Sequence, residues 1–358
     1  MRSLMRFLSA LLSGFACLAA GCLPGGVTIQ GAGATFPAPL YKRWFLEYYQ
    51  RHRDIRVNYQ AIGSGAGIRQ FTEGLTAFGA SDAFISKDEI DKVPNDRGVV
   101  QLPMTAGSIV LCYNVPEAGD HLRLTREVYV DIFLGHIQSW ADPNIREANY
   151  GMTLPDKPIV VVRRAEESGT TFAFTNHLCK ISQKWRDEAG PKATKAYPKV
   201  GGKDVGIGGK GNPGVAALID RTPYSIGYLE YGYGDLANLP MAHLENQHAF
   251  QNKTGKFIKP TPESGAAALS KIPDKQYDNL HIDLPDPDGE DAYPIVTCTW
   301  LLCAQHYDDA RKAAELKNVI RYALGDEGQK IGADLGYIPL PKKLRDKTLE
   351  ALDQINPE

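Results

Sequence analysis

Strand-like and helix-like segments alternate along this chain, and three of the turns between them are rich in glycine and hydroxyl residues. Its 358 residues exceed what one compact core usually holds. Together these observations predict an α/β protein of two domains. Apolar residues make up 43% and charged residues 23%, which separates the chain from disordered sequences. A formal net charge of −2 lacks the basic excess of a nucleic-acid binder, so no nucleic-acid partner is expected.

Residues 1–21 stand outside that fold. "MRSLMRFLSALLSGFACLAAG" has a basic start (Arg2, Arg6), an apolar run and a small-residue end. That is the plan of a secretory signal peptide, too short to read as a membrane-spanning helix. Its end, Leu18-Ala19-Ala20-Gly21-Cys22, resembles a bacterial lipobox, with Ala19 where the pattern prefers Leu. The resemblance implies cleavage before Cys22, a lipid on its thiol and a short tether over 22–28; an ordinary signal leaving Cys22 free is the plainer alternative. Export would then place the protein in the periplasm or at the cell surface, anchored to a membrane. Losing two arginines and no acid takes the net charge from −2 to −4. Any anion site must therefore work locally.

The elements follow in order. "VTIQ" and "RVNYQAIG" read as strands. Between them Leu40/Tyr41, Trp44/Phe45 and Tyr48/Tyr49 recur at a spacing of four, one face of a helix, with Thr35 suited to its cap and Pro37 to its first turn. "GIRQFTEGL" reads as a short helix and "FGASDAF" as a strand and turn. "PIVVVRR" reads as a strand, "SGTTFAFTNHLCK" as the helix after it, and 308–336 as a helix pair with Leu316, Val319, Ile320 and Ala323 on one face. Residues 240–292, rich in Pro, Gly, Asn and Asp, read as decoration of one domain. Within them Asn252-Lys253-Thr254-Gly255 reads as a hairpin turn and "DPDGED" (286–291) as a solvated acidic loop.

Cysteine usage gives no Cys-x-x-Cys pair, and the histidines show no ligand spacing, so neither a metal site nor a cofactor is expected. Cys112, Cys179, Cys298 and Cys303 remain in the exported chain. They read as small buried residues, with a bridge between Cys112 and Cys298 left open.

Three turns share one layout of strand, glycine and hydroxyl residues, then helix. They are Gly31–Phe36, Gly63–Gly67 and Ser168–Thr171. A helix start offers unpaired N–H groups and the positive end of the dipole, so each is a ready anion site. None spells a dinucleotide fingerprint, and "GIGGKGNPG" lacks the Ser/Thr that a P-loop needs after its lysine.

Eight blocks occur in order: "GAGATFPAPLY", "NYQAIGSGAGIRQ", "FGASDA", "VVRRAEESGTTF", "GGKGNPGVAA", "SIGYLEYGY", "EDAYPI" and "LGYIPLP". Over about 29–342 the chain resembles the phosphate-binding protein of the bacterial high-affinity phosphate ABC transporter. The resemblance implies a two-lobed periplasmic-binding-protein fold, each lobe a central sheet flanked by helices, with the ligand in the cleft. Lobe I would comprise 29–112 plus 294–358, and lobe II 113–293. The implied partners are inorganic phosphate and the transporter's membrane permease.

Residue by residue, the resemblance implies phosphate contacts at Thr35, Phe36, Ser64, Asp82, Arg164, Ser168, Gly169 and Thr170. Arg164 supplies a planar fork for two oxygens. Asp82 suits phosphate because phosphate keeps a proton near neutral pH and sulfate has none. Glu166 stands where the family commonly has Asp, and would brace Arg164; Glu167 replaces a glycine and has no assigned role, and Arg163 reads as its counter-charge or as a surface residue. No nucleophile or catalytic cluster is visible, so the expected role is binding, not catalysis. Arsenate, which also keeps a proton, is the alternative ligand. A secreted phosphatase or a signalling lipoprotein on the same scaffold are the alternative classes.

Overall fold

The computed structural model describes residues 26–94 and 96–356; the signal peptide, Cys22 and most of the tether lie outside the described residues. The strands are β1 (Val27–Gly33), β2 (Ile55–Ala61), β3 (Phe78–Ser81), β4 (Val100–Tyr113), β5 (Arg123–Leu124) and β6 (Val160–Arg164). They continue as β7 (Ile207–Gly209), β8 (Ser225–Glu230), β9 (His243–Glu245), β10 (Phe257–Ile258) and β11 (Val296–Cys303). Eight of them form one sheet in the order β2-β1-β3-β11-β4-β8-β6-β7.

The sheet is built as two lobes. β1 pairs in parallel with β2 and β3 in one lobe, and β6 with β7 and β8 in the other. The strand β4 spans both. It pairs with β11 as far as Ser108 and with β8 from Ile109 onward. Parallel strands need helical crossovers, so helices cover the faces and the strands read as apolar runs. The helix Ala38–Arg51 buries Leu40, Tyr41, Trp44, Phe45 and Tyr48, the face that the spacing of four predicts. Trp44 Nε1 locks it to the helix Asp326–Asp334 through the Gly328 carbonyl at 2.7 Å. Leu316, Val319, Ile320 and Ala323 are likewise buried on the helix Ala310–Leu324.

Thr35 does not cap its helix. Pro37 occupies the cap position and no side chain caps there. Residues 240–292 are more ordered than their composition suggests. β9 and β10 join β5 in a small second sheet, and the segment also forms three short helices. Lys253, at φ 50, ends the helix Gln247–Asn252, where a hairpin turn is expected. Asp286 of the acidic loop is not solvated. Its side chain is 3% exposed and pairs with Arg126 at 2.7 Å, while Asp288, Glu290 and Asp291 stay exposed. All four described cysteines are buried and free. Cys298 sits opposite Ala106 on β4, six residues before Cys112, so the two thiols are roughly 20 Å apart along the strand and cannot bridge.

One close approach brings two of the predicted turns together. The helix Ser64–Thr72 lies against the end of β1, and a Cβ on Gly67 would come 2.3 Å from Gly33 Cα and 2.8 Å from the Ala32 carbonyl. Both obstacles are backbone, so Gly67→Ala should lower stability by about 1–3 kcal/mol. Urea unfolding of the exported chain checks this: the midpoint should fall, and an unchanged midpoint would contradict the contact.

Candidate functional site

The three predicted turns, and a fourth, lie at the carboxyl ends of parallel strands in both lobes, where open α/β sheets place their ligands. Thr35 and Phe36 follow β1, Ser64 follows β2 and Asp82 follows β3. Across the cleft, Arg164 ends β6, and Ser168, Gly169 and Thr170 open the helix Gly169–Ile181. The fourth turn joins β7 to the helix Gly211–Arg221 and carries Asn212. Gly169 Cα comes so close to the opposite lobe that a Cβ there would lie 2.6 Å from both the backbone nitrogen and the Cβ of Asp82.

Three tyrosines hold the first turn. Tyr59, Tyr233 and Tyr337 donate through their hydroxyls to the carbonyls of Ala34, Thr35 and Phe36, at 2.6, 2.7 and 2.7 Å. The tyrosines thus satisfy the turn's carbonyls and leave its N–H groups for another partner. Among the described residues nothing accepts a hydrogen bond from the N–H of Thr35, Phe36 or Thr170.

The hydroxyls are bound in one sense. Ser64 Oγ accepts from Gly169 N at 3.0 Å and from Asp82 N at 3.4 Å. Thr35 Oγ1 accepts from the backbone and side-chain nitrogens of Asn212, both at 3.1 Å. Thr170 Oγ1 accepts from Arg164 Nη1 at 3.2 Å and Asn212 Nδ2 at 3.3 Å. Ser168 caps its helix by accepting from Thr171 N at 3.2 Å. Ser64 and Thr35 thus leave their helix starts uncapped and turn to the cleft.

Arg164 is 1% exposed. Glu166 takes its Nε at 3.0 Å and also its Nη2, and accepts from Gly211 N at 3.0 Å. Glu166 thus reaches both the arginine and the fourth turn. Glu167 acquires a partner that its sequence neighbours do not reveal. It pairs with Arg69 of the other lobe at 2.5 Å, and its side chain lies over Gly65, where a Cβ would meet Oε2 at 2.3 Å. Arg163 is not its counter-charge. It turns away to the Val205 carbonyl and Asp204 and stacks over Tyr197.

Two carboxyls are buried in this region. Asp82 is 2% exposed, with Thr299 donating to Oδ1 at 2.8 Å. A register shift between Thr299 and Trp300 lies beside that contact; such irregularities re-aim side chains. Burial pushes the Asp82 carboxyl up to about 7, against the Thr299 hydrogen bond and the Arg164 charge. Glu230 is fully buried at the end of β8, with Oε1 accepting from Gly232 N at 2.9 Å and Oε2 without a partner. Burial pushes it up to about 8, opposed by the N–H groups of Gly232 and Tyr233 and reinforced by Asp82. Asn212, Thr299 and Glu230 were not singled out from the sequence. The sequence does carry a signal for Asn212: "IGGKGN" repeats the strand–glycine–helix layout of the three turns.

Comparison with known proteins identifies the family. A PBP superfamily domain matches residues 21–327. The phosphate-binding protein PstS of Pasteurella multocida is 36% identical over 321 residues, covering 89% of this chain and 88% of that one. PstS of Methanocaldococcus jannaschii is 36% identical over 366 residues, covering 94% and 91%. Among solved structures, a high-affinity periplasmic phosphate-binding protein, PfluDING, bound with phosphate, superposes with a TM-score of 0.72 at 20% identity, over 89% of this chain and 92% of that one. The chain belongs to the PBP superfamily and, within it, to the family of the phosphate-binding proteins PstS.

Proposed function

We propose that this protein binds inorganic phosphate between its lobes and delivers it to the membrane permease of a phosphate ABC transporter. It is a carrier and not an enzyme, in keeping with the names its relatives bear. The contacts are Thr35, Phe36, Ser64, Asp82, Arg164, Ser168, Gly169 and Thr170, with Glu166 bracing Arg164. Lobe I comprises 29–112 with 294–358 and lobe II 113–293, a division supported by the change of partner along β4 between Ser108 and Ile109. A lipid on Cys22 holds the exported chain at a membrane surface.

The observation that carries this reading is a donor-rich cleft with a buried carboxyl, Asp82, whose Oδ1 accepts from Thr299. Arg164, the hydroxyls and the free N–H groups favour a tetrahedral oxyanion. Asp82 then sorts the oxyanions. A phosphate proton donates to its carboxylate, whereas sulfate would set lone pair against lone pair, a mismatch that can reject an analogue by roughly 10⁴–10⁵.

Titration calorimetry with phosphate and sulfate at pH 8 tests the reading; equal binding of both, or of neither, would overturn it. The sign of the pH effect follows from Asp82. Above about 7 it is charged and rejects sulfate; below, it carries its own proton and donates to sulfate oxygen. Sulfate affinity should therefore rise as pH falls through about 7, with phosphate bound on both sides. Asp82→Asn should accept sulfate at pH 8, and unchanged selectivity would remove the role given to Asp82.

A second prediction concerns closure. Gly169→Ala places a methyl group against the Asp82 backbone of the other lobe. Phosphate affinity should fall by about 10- to 100-fold, the equivalent of about 1–3 kcal/mol of overpacking, with the urea midpoint of the ligand-free protein retained. A matching loss of stability would show that the glycine serves folding instead.

The anchor has its own test. In detergent phase partitioning of cells expressing the full chain, the native protein should enter the detergent phase and Cys22→Ser the aqueous phase. Identical partitioning would exclude the lipid.

A further inference from the structure

Asn212 carries no charge and lies in none of the three turns that the sequence marks. It is fully buried at the second position of the helix Gly211–Arg221. The orientation of its amide follows from its neighbours. The Glu230 backbone N–H can only donate, and it meets Oδ1 at 3.0 Å, so the opposite atom is the NH₂ group. That group has two hydrogens and two hydroxyl oxygens in reach, Thr35 Oγ1 at 3.1 Å and Thr170 Oγ1 at 3.3 Å. The first belongs to one lobe and the second to the other. Each oxygen also receives a second donor that cannot act as an acceptor: the Asn212 backbone N–H for Thr35 and Arg164 Nη1 for Thr170.

A hydroxyl has two lone pairs and one hydrogen. With both lone pairs engaged, each threonine has only its hydrogen to give. We propose that Asn212 is a positioning residue that makes the Thr35 and Thr170 hydroxyls obligate donors to the ligand, and so confines the ligand's proton to the edge facing Asp82. The inference rests on the phosphate reading and deepens it. Without Asn212 either hydroxyl is free to rotate and accept, and a protonated oxygen is then tolerated at positions where the native site admits only an unprotonated one. Asn212 acts through the threonines, so its contribution should vanish as they lose their hydroxyls.

The test is phosphate titration calorimetry on the exported chain carrying Asn212→Ala or Asn212→Asp, each alone and combined with Thr35→Val or with Thr170→Val. Urea unfolding of the ligand-free proteins runs in parallel. Asn212→Ala should weaken phosphate binding by about tenfold or more in the native background. The loss should shrink in each valine background, because one of its two targets is gone. Asn212→Asp should weaken binding further, since a carboxylate accepts from the threonines and turns their hydrogens inward. Any stability loss should be the same in all backgrounds. An equal loss of affinity in every background, or none, would overturn the positioning role while leaving the phosphate reading intact. A native protein that binds no phosphate would overturn both.

Discussion

A hydroxyl oxygen that already accepts two N–H groups has nothing left to offer but its hydrogen, and the cleft is built on that constraint. Ser64 states it most directly. Its oxygen accepts from Asp82 N in its own lobe and from Gly169 N in the other, so its polarity is complete only when the lobes meet. Thr35 shares the condition, drawing both donors from Asn212 across the cleft, whereas Thr170 takes its donors from Arg164 and Asn212 in its own lobe. In the proposed reading, closure of the lobes and completion of the phosphate site are one event. Hinge closure in two-lobed proteins is usually described as trapping a ligand; here it also sets which way the site's hydrogens point.

The fold supplies the means. Parallel strands of each lobe end at the cleft, and β4, continuous through both lobes, ties the two half-sheets into one. Tyrosines from three separate segments satisfy the carbonyls of residues 34–36, which frees that turn's N–H groups. The buried arginine is matched by Glu166 before any ligand arrives, so an incoming anion meets oriented donors and little unbalanced positive charge. Burial raises the carboxyls of Asp82 and Glu230, so the charge each adds to this region depends on pH. Selectivity then depends on hydrogen-bond direction more than on net field, which suits a chain whose overall charge is slightly negative.

Much of this was legible in the sequence, because the features concerned are local. A spacing of four marked the buried face of the helix Ala38–Arg51, and strand–glycine–helix turns marked three of the four ligand-facing segments. What stayed hidden was non-local. Thr35 looks like a helix cap until Asn212, 177 positions later, takes its oxygen. Glu167 looks surplus until Arg69 reaches it from the other lobe, 98 positions away. Asp286 looks solvated until Arg126 covers it. In each case propensity was read correctly and overruled by a tertiary partner that no window of sequence contains.

A phosphate complex solved at a resolution that reveals hydrogens tests the central claim most directly. The account predicts phosphate between the lobes, with hydroxyl hydrogens of Ser64, Thr35 and Thr170 pointing at unprotonated oxygens and the phosphate proton shared with Asp82. Phosphate lying outside the cleft, or any of those three hydroxyls accepting a hydrogen from the ligand, would contradict it.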